Sequence, residues 1–341
     1  MIAFLLLITG AFACATFALL FPFRYLAEKY AFLLNYPNHR SSHTHPKVRS
    51  AGLIFIPTAM AYGALVQSSG ADWRFTAGLL LLAAVSMADD VAGLPSLPRI
   101  LTHSVCALMA SLGLLQIVPE PVSSLYAVGI CALSSIILVS FINVINFMDG
   151  IDGLVASVSC LVLAVDCLLF NQSVGFEIPL AIGTCAALLG FLPHNWDPSK
   201  VFMGDVGSTF LGYLLGYVAL RQSVLQFSPV PLLLVLLLLL PLLADSFYTL
   251  CCRIRRGDRL FQAHRNHIYQ KLVTAGFSHA QVSVRYLTAS ALFALASLEI
   301  AEMETSTLLL VVVTSYIAAI AVLHAIDTRL RLNRRPKSPQ R

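Results

Sequence analysis

Charged residues are scarce in this sequence, where Asp, Glu, Lys and Arg together make up only 11% of 341 residues. Soluble domains carry about 25% charged residues, so the composition excludes an ordinary soluble protein. Hydrophobic residues account for 58% of the chain, and the mean hydropathy is +0.80. We therefore predict an all-α, polytopic integral membrane protein.

Eleven hydrophobic segments are candidates for transmembrane helices, each of which needs roughly 20 mostly apolar residues to cross the bilayer. They lie near residues 2–21, 51–67, 75–88, 100–118, 124–145, 154–170, 177–193, 207–220, 229–250, 283–298 and 306–326. The first segment lacks the basic residues that begin a cleaved signal peptide, and AFAC at 11–14 lacks the Leu that starts a lipobox. We therefore expect it to be retained as the first of about 11 transmembrane helices.

Basic residues are nearly absent from one set of the predicted loops. Lys and Arg concentrate in cytoplasmic loops of membrane proteins. If the N-terminus lies outside, only Arg74 and Arg221 of the 22 Lys and Arg fall on the outer side. We predict an external N-terminus and a cytoplasmic C-terminus, with one multi-span domain over residues 1–328 and a basic cytoplasmic tail over 329–341.

The predicted external loops also lack clusters of ionisable residues. The polar clusters lie in five predicted cytoplasmic loops, at residues 41–52, 88–99, 146–153, 193–208 and 252–271. Transporters and channels usually place ionisable residues near the bilayer midplane, whereas here only Asp166 lies within a span and away from the cytoplasmic end. We expect a structural role for Asp166 and locate the chemistry on the cytoplasmic face.

Paired CxxC motifs are absent as well. The eight cysteines lie mostly as single residues inside the predicted spans. This pattern is typical of small apolar packing residues rather than of a zinc site.

Two of the loops contain carboxylates in unusual surroundings. Asp89 and Asp90 are adjacent, and their mutual repulsion calls for a cation or several hydrogen-bond donors. Asp205 lies between Gly204 and Gly207 at the start of an apolar run. Glycines let backbone N–H groups approach a phosphate, and the N-terminus of a helix favours an anion.

The stretch NFMDGIDGL at 146–154 follows a long apolar run directly. Together with Asn143, its residues Asn146, Asp149 and Asp152 repeat every three positions. On a continuous helix such a set would drift around the axis by about 180°. We predict that the two glycines of the stretch break the helix and let these side chains converge.

The fifth loop is basic. The arginines between 253 and 259 are suited to anionic lipid headgroups. The sequence AHRNH, with His264, Arg265 and His267 beside Tyr269, is typical of phosphate or sugar recognition, and a histidine metal site is the alternative. Carboxylates facing basic groups at a membrane surface indicate Mg²⁺ or Mn²⁺ on a diphosphate, hence phosphoryl transfer with a lipid substrate.

These motifs resemble those of a known family. PNHRSSHTHPKVRSAG, MADDVAGLP, NFMDGIDGL, VFMGDVGSTFLG and HRNHIYQKL occur in the order found in the polyprenyl-phosphate N-acetylhexosamine-1-phosphate transferases, the glycosyltransferase 4 family. The resemblance covers about residues 35–325. The family includes the phospho-MurNAc-pentapeptide translocase and the enzymes that start O-antigen, enterobacterial common antigen and teichoic acid assembly.

The resemblance implies an activity, a location and partners. The implied reaction is Mg²⁺-dependent transfer of a sugar 1-phosphate from a UDP-HexNAc to undecaprenyl phosphate, with release of UMP. The implied location is the bacterial inner (cytoplasmic) membrane, with the active site facing the cytoplasm. A homodimer in the bilayer is consistent with the family, and no nucleic acid is expected as a partner.

The resemblance also implies roles for individual residues. Asp205 corresponds to the metal ligand, and the pair Asp89 and Asp90 to the residues that orient or activate the lipid phosphate. The residues implied for the nucleotide side are Asn146, Asp149, Asp152, Asn195, which hydrogen-bonds uracil, and Phe202, which packs on it. The residues implied for diphosphate and sugar are Lys47, His264, Arg265 and His267.

The ionisation of the phosphate nucleophile bears on whether Asp89 acts as a base. A phosphate monoester has a second pKa near ~6 and is mostly dianionic at neutral pH, so it hardly needs a base. We therefore favour an orienting or metal-linked role for Asp89, with general base as the alternative.

Within the family, RSSHTHPKVR and HRNHIYQKL are closer to the O-antigen and capsule-initiating branch than to the peptidoglycan branch, whose last loop typically carries three consecutive histidines. The chain departs from that branch by reading RSAGL, where a glycine triplet is common, and this departure bears on the loop of Lys47. GlcNAc, a 6-deoxy-HexNAc such as FucNAc or QuiNAc, and GalNAc remain open as the sugar. The alternatives are a peptidoglycan enzyme of the translocase type and a polytopic transporter.

Overall fold

The computed structural model describes residues 2–36, 46–67, 72–118, 123–170, 175–258 and 265–333. These residues form fourteen helices and one short hairpin. The helices are α1 (Ile2–Lys29), α2 (Gly52–Val66), α3 (Trp73–Ala92), α4 (Ser96–Leu115), α5 (Ser124–Met148), α6 (Leu154–Leu169), α7 (Glu177–Asn195), α8 (Gly204–Leu225), α9 (Val230–Leu238), α10 (Leu240–Arg256), α11 (Ile268–Thr274), α12 (His279–Leu295), α13 (Ser297–Ala301) and α14 (Thr305–Asn333). The antiparallel strands are β1 (Leu34–Asn35) and β2 (Lys47–Val48).

The eleven predicted apolar segments are helical, which confirms the all-α class, although 229–250 is divided between α9 and α10 and 283–298 between α12 and α13. Among the described residues, six helices are long and apolar enough to cross a membrane, or seven if α9 and α10, bent by 76° at Leu239, count as one span. The shorter apolar helix α2 has 15 residues, and at about 1.5 Å per residue it is shorter than the hydrocarbon core of about 30 Å. The chain is therefore an all-α multi-pass membrane protein, while eleven spans and an external N-terminus stay predictions.

Helix α8 is the centre of the bundle. Its residues are buried continuously from Val206 to Gln222, as expected for a helix that is apolar on all sides. Gly212 lets α5 approach closely, since a Cβ there would lie 2.6 Å from Ile142 Cα. The Phe75 ring of α3 stacks on Tyr217 of α8 at a centroid distance of 4.1 Å. This packing holds α8 against α3 and α5.

Helices α1 and α14 lie at the periphery. Only 11% and 6% of their apolar windows are buried within the chain. Apolar helices with so little protein contact are suited to a lipid environment.

The segment from β2 to the start of α2 pairs with residues 201–203, which precede α8. Val48 forms a parallel bridge with Val201, and Ala51 N–H donates to the carbonyl of Phe202 at 3.1 Å. Gly52 N–H then donates to the carbonyl of Met203 at 3.1 Å. These bonds place Lys47 beside the segment that precedes α8.

Candidate functional site

Asp90 lies in the last turn of α3 and is almost fully buried, with 2% exposure. Its carboxylate accepts the Ser50 hydroxyl at 2.7 Å and the N–H groups of Asp205 and Val206 at 3.0 and 3.4 Å. A carboxylate that accepts the first amides of a helix satisfies donors that the helix itself leaves unpaired. Asp90 therefore positions the start of α8 and, with it, Asp205.

Asp89 and Asp205 meet at Arg99, which is not among the predicted site residues. The Arg99 guanidinium, from the first turn of α4, lies 2.9 Å from Asp89 Oδ2 and 3.2 Å from Asp205 Oδ2. It also donates to Asn146 Oδ1 at 3.2 Å, and Asn146 in turn donates to the Ser208 hydroxyl at 3.0 Å. The structure thus brings Asp89, Asn146 and Asp205 together around the Arg99 guanidinium. In the sequence, Arg99 is the one arginine of the predicted loop at 88–99, which also contains Asp89 and Asp90.

This group of side chains has the chemistry of a divalent cation site. Asp89, Asp205 and Asn146 supply hard oxygen atoms, all within 3.2 Å of the same guanidinium. Mg²⁺ prefers one or two carboxylates together with substrate oxygens. The Asp205 side chain is 32% exposed, which leaves it accessible to a ligand. The residues therefore fit the predicted metal.

The acidic stretch at 146–154 breaks as the drift argument predicts. Helix α5 ends at Met148, and α6 begins after Gly153, which has a φ of +75°. Burial, followed by the carboxylates of Asp205, Asp90 and Asp152, raises the pKa of Asp149 well above its usual range.

Asn143 does not join the site with Asn146, Asp149 and Asp152, contrary to the predicted convergence of the four side chains. It precedes the break and donates to the carbonyl of Val139 in its own helix at 2.7 Å.

Lys47, Asp152 and Phe202 come together on the other side of the acidic stretch. Lys47 Nζ donates to the Ser199 hydroxyl at 2.9 Å, lies 3.7 Å from Asp152 Oδ2 and sits 5.1 Å from the Phe202 ring centroid. Although burial raises the pKa of Asp152, His279, the Ser199 N–H and Lys47 outweigh it and lower that pKa below its usual value. Asp152 is therefore an ionised carboxylate beside a cation and an aromatic ring.

Asn195 links the two sides of this pocket. Its Oδ1 accepts Gly153 N–H at 3.0 Å, and its Nδ2 donates to the Val201 carbonyl at 3.0 Å. The amide is engaged by the chain at both ends. Asn195 therefore braces the segment of Phe202 against the start of α6.

The HRNH motif is held by a carboxylate outside all of the predicted loops, that of Asp245. Asp245 of α10 is fully buried and accepts the N–H groups of Ile268 and Tyr269 at 2.8 and 3.0 Å and the Tyr286 hydroxyl at 2.7 Å. His267 Nδ1 lies 3.5 Å from Asp245 Oδ1. The His267 side chain is thereby fixed at the start of α11.

Two further residues of the motif were predicted to contact the substrate. Arg265 is exposed, and His264 lies outside the described residues.

Tyr269 joins this motif to the acidic stretch. Its hydroxyl donates to the carbonyl of Phe147 at 3.0 Å and lies against Gly150, where a Cβ would clash with it. The glycine is therefore required by the close approach of the tyrosine.

A second group of possible metal ligands comprises Asp152, Asp197 and His279, whose ligand atoms lie within 4.8 Å of one another. Backbone N–H groups already engage an atom of His279 and an atom of Asp197. Asp152 N–H donates to His279 Nδ1 at 3.3 Å, and Ala280 N–H donates to Asp197 Oδ2 at 3.1 Å. Asp152 Oδ1 is the atom of this group that accepts no hydrogen bond from the described residues.

Comparisons with known proteins agree with the motifs. Residues 73–223 match the Glycosyl transferase family 4. A Bacillus subtilis protein named "Probable undecaprenyl-phosphate N-acetylglucosaminyl 1-phosphate transferase" is 30% identical over 265 residues, which cover 74% of this chain and 73% of the relative. The decaprenyl-phosphate N-acetylglucosaminephosphotransferase of Mycolicibacterium smegmatis is 29% identical over 284 residues, covering 72% of this chain and 69% of the relative.

A shorter match involves the undecaprenyl-phosphate alpha-N-acetylglucosaminyl 1-phosphate transferase of Escherichia coli K12, which is 32% identical over 162 residues, covering 45% of this chain and 43% of the relative. The matched part of the family profile contains Asp89, Asp90, the acidic stretch and Asp205. The chain therefore belongs to glycosyl transferase family 4, the family of the polyprenyl-phosphate N-acetylhexosamine-1-phosphate transferases.

Proposed function

We propose that this protein transfers a HexNAc 1-phosphate from a UDP-sugar to undecaprenyl phosphate at the cytoplasmic face of the bacterial inner membrane, releasing UMP. The observation that carries the proposal is the convergence of Asp89, Asn146 and Asp205 on Arg99, where hard oxygen ligands and a guanidinium meet. The relatives support the general reaction, because they are polyprenyl-phosphate N-acetylglucosamine-1-phosphate transferases by name.

The proposed bond changes are simple. A phosphate oxygen of undecaprenyl phosphate attacks the phosphorus that carries the sugar. The bond from that phosphorus to the bridging oxygen breaks, and UMP leaves with the bridging oxygen. Since a phosphate monoester is mostly dianionic above a pKa of ~6, the protein has to orient this nucleophile and neutralise charge rather than remove a proton.

Asp205, Asp89 and Asn146 would hold Mg²⁺, with Mn²⁺ as the alternative. When bound, such an ion would neutralise negative charge on the diphosphate. Arg99 contributes a planar donor group that suits phosphate recognition. Asp90, which is buried among donors from Ser50, Asp205 and Val206, keeps this arrangement rigid.

The nucleotide side of the proposed site is the pocket of Lys47, Asp152 and Phe202. We infer that Phe202 packs on uracil, while Lys47 lies near enough to its ring to reach an adjoining phosphate. Asp149 belongs to the same acidic stretch as Asp152, and the charges of both Asp205 and Asp152 contribute to its raised pKa. His267, and with it Arg265, would contact diphosphate or sugar from the HRNH side.

The products of such a reaction begin lipid-linked surface polysaccharides. We propose O-antigen or capsule initiation as the physiological role, on the motifs RSSHTHPKVR and HRNHIYQKL. The names of the relatives favour GlcNAc as the sugar.

The test is transfer by the purified protein. The protein in lipid nanodiscs is incubated with undecaprenyl phosphate, Mg²⁺ and, in turn, UDP-GlcNAc, UDP-GalNAc, UDP-FucNAc, UDP-QuiNAc and UDP-MurNAc-pentapeptide, and UMP is measured with the lipid product. We expect UMP from at least one HexNAc donor and none from the Asp205→Asn variant. If no donor yields UMP while a relative assayed in parallel is active, the proposal is wrong.

A further inference from the structure

Two side chains in the first two turns of α12 form hydrogen bonds with the backbone of Asp152. They lie outside the pocket of Lys47, Asp152 and Phe202. The Ser283 hydroxyl donates to the Asp152 carbonyl at 2.8 Å, and Asp152 N–H donates to His279 Nδ1 at 3.3 Å. His279 and Ser283 are one helical turn apart, so they present adjacent side chains. A capping box of Ser278 and Gln281 fixes the start of α12.

The carboxylate of Asp152 is constrained on one oxygen only. Its Oδ2 accepts Ser199 N–H at 2.9 Å. Its Oδ1 is buried, has no hydrogen-bond donor among the described residues, and lies 3.3 Å from His279 Nδ1. Oδ1 is therefore an acceptor in need of a donor.

The same end of α12 holds the opposite wall of the pocket. Ala280 N–H donates to Asp197 Oδ2 at 3.1 Å. Asp197 and Ser199 belong to the segment that leads into Phe202. The start of α12 therefore fixes Asp152 relative to the aromatic ring.

We propose that His279 and Ser283 are positioning residues for nucleobase recognition, holding the Asp152 carboxylate where it accepts a ring N–H of uracil beside Phe202. This inference rests on the proposed function. Uracil in a nucleotide has a ring N–H at N3, whereas cytosine has an acceptor there. A fixed acceptor at Asp152 therefore distinguishes UDP from CDP, and a loosened one does so less well.

The experiment compares four variants on α12 with the wild type. His279→Ala and Ser283→Ala each remove one hydrogen bond to the backbone of Asp152, whereas His279→Asn keeps an acceptor for Asp152 N–H. Ser290→Ala is the matched control, because Ser290 is buried on the same helix without a hydrogen-bond partner in the described part of the chain. UDP and CDP affinities are measured by calorimetry with Mg²⁺ present, and the KM for each substrate and kcat from UMP release.

We expect both alanine variants to bind UDP about tenfold more weakly, the effect of losing one or two net hydrogen bonds. The UDP-sugar KM rises by a similar factor, while kcat and the KM for undecaprenyl phosphate stay within about twofold of wild type. The preference for UDP over CDP falls, His279→Asn retains part of it, and the control matches wild type. Unchanged UDP affinity in folded variants would overturn the inference, as would an equal loss for UDP and the lipid.

A measurement on the wild type covers the case in which the alanine variants fail to fold. UDP binding should slow amide hydrogen exchange in the first two turns of α12, and the absence of such protection counts against the inference. The proposed function is tested separately. If the wild type binds UDP but releases no UMP, the transferase proposal is wrong, while the inference about His279 and Ser283 is still decided by the UDP affinities.

Discussion

The Asp90 carboxylate accepts the backbone N–H of Asp205 at 3.0 Å. The second aspartate of the adjacent pair therefore holds the helix turn that carries the candidate metal ligand. The first aspartate, Asp89, points instead to Arg99 at 2.9 Å. Two neighbouring carboxylates that look equivalent in the sequence thus have different tasks.

We expect Asp90→Asn to destabilise the protein as well as to reduce transfer. An asparagine has one acceptor fewer and places its NH₂ group against the donor of either Ser50 or Asp205, which bond to different oxygens, at a cost of about 1–3 kcal/mol. The apparent melting temperature should fall, and UMP release should drop at least tenfold. The control is Asp258→Asn, whose carboxylate is half-exposed and 4.0 Å from Arg253. A normal melting temperature for Asp90→Asn would show that the bonds to α8 are unimportant.

Asp89→Asn is expected to lose activity at every pH. If Asp89 orients the phosphate or binds metal, raising the pH cannot replace its charge, because the phosphate is already mostly dianionic above ~6. The measurement is UMP release between pH 6 and pH 10 at saturating substrates. Recovery at alkaline pH would instead support the general-base alternative.

Arg99 is expected to require a guanidinium. Arg99→Lys preserves the charge but offers a single compact ammonium, which cannot contact both Asp89 and Asp205 in the same geometry. We expect a loss of transfer of about 10- to 100-fold, comparable to the removal of an electrostatic group from a reaction centre. Arg24→Lys is the control, since Arg24 pairs with Glu28 on the exposed surface of α1. Activity near wild type in Arg99→Lys would mean that charge alone suffices.

Asp245→Asn is expected to displace the HRNH motif. The carboxylate accepts N–H groups from Ile268 and Tyr269 and the Tyr286 hydroxyl, and an amide cannot accept all three on the same atoms. Faster hydrogen exchange at α11, with a loss of about 1–3 kcal/mol in stability, should accompany reduced transfer. Tyr286→Phe removes one of these bonds and should have a smaller effect. The expectation is wrong if α11 exchanges at the wild-type rate in Asp245→Asn.

Much of the fold could be predicted from the sequence because helices in a membrane are encoded locally, in apolar runs of sufficient length. The same holds for the break in NFMDGIDGL, since helical drift and two glycines are properties of neighbouring residues. The bend between α9 and α10 was not predicted. It falls within a continuous apolar run, where Pro241 opens α10, and composition alone gave no reason to divide the segment.

The candidate site was predicted only in part, for a physical reason. Motif residues such as Asp205 and Asp152 stand out by their chemistry in an apolar chain. Arg99, Asp245 and His279 act through contacts with residues far away in the sequence, as in the bond between Asp152 and His279 across 127 positions. Such pairings depend on which helices pack together, and no local pattern contains that information.

Ser50 explains how the chain tolerates RSAGL in place of a glycine triplet, and it gives a sharp test of stability. Its φ is +67°, a left-handed conformation that costs a non-glycine residue about 1–2 kcal/mol. Its buried hydroxyl donates to Asp90 Oδ2 at 2.7 Å, a bond to a charged group worth about 1.5–3 kcal/mol.

Ser50→Gly removes both the strain and the bond, so we expect little net change in the melting temperature. Ser50→Ala keeps the strain and loses the bond, so we expect clear destabilisation, together with a weaker hold of Asp90 on α8 and lower transfer activity. The two variants are compared by thermal unfolding in the same lipid nanodiscs. If Ser50→Ala is as stable as wild type, the hydroxyl does not hold Asp90, and another contact, such as that of Arg49 at 3.7 Å, has to fix the carboxylate.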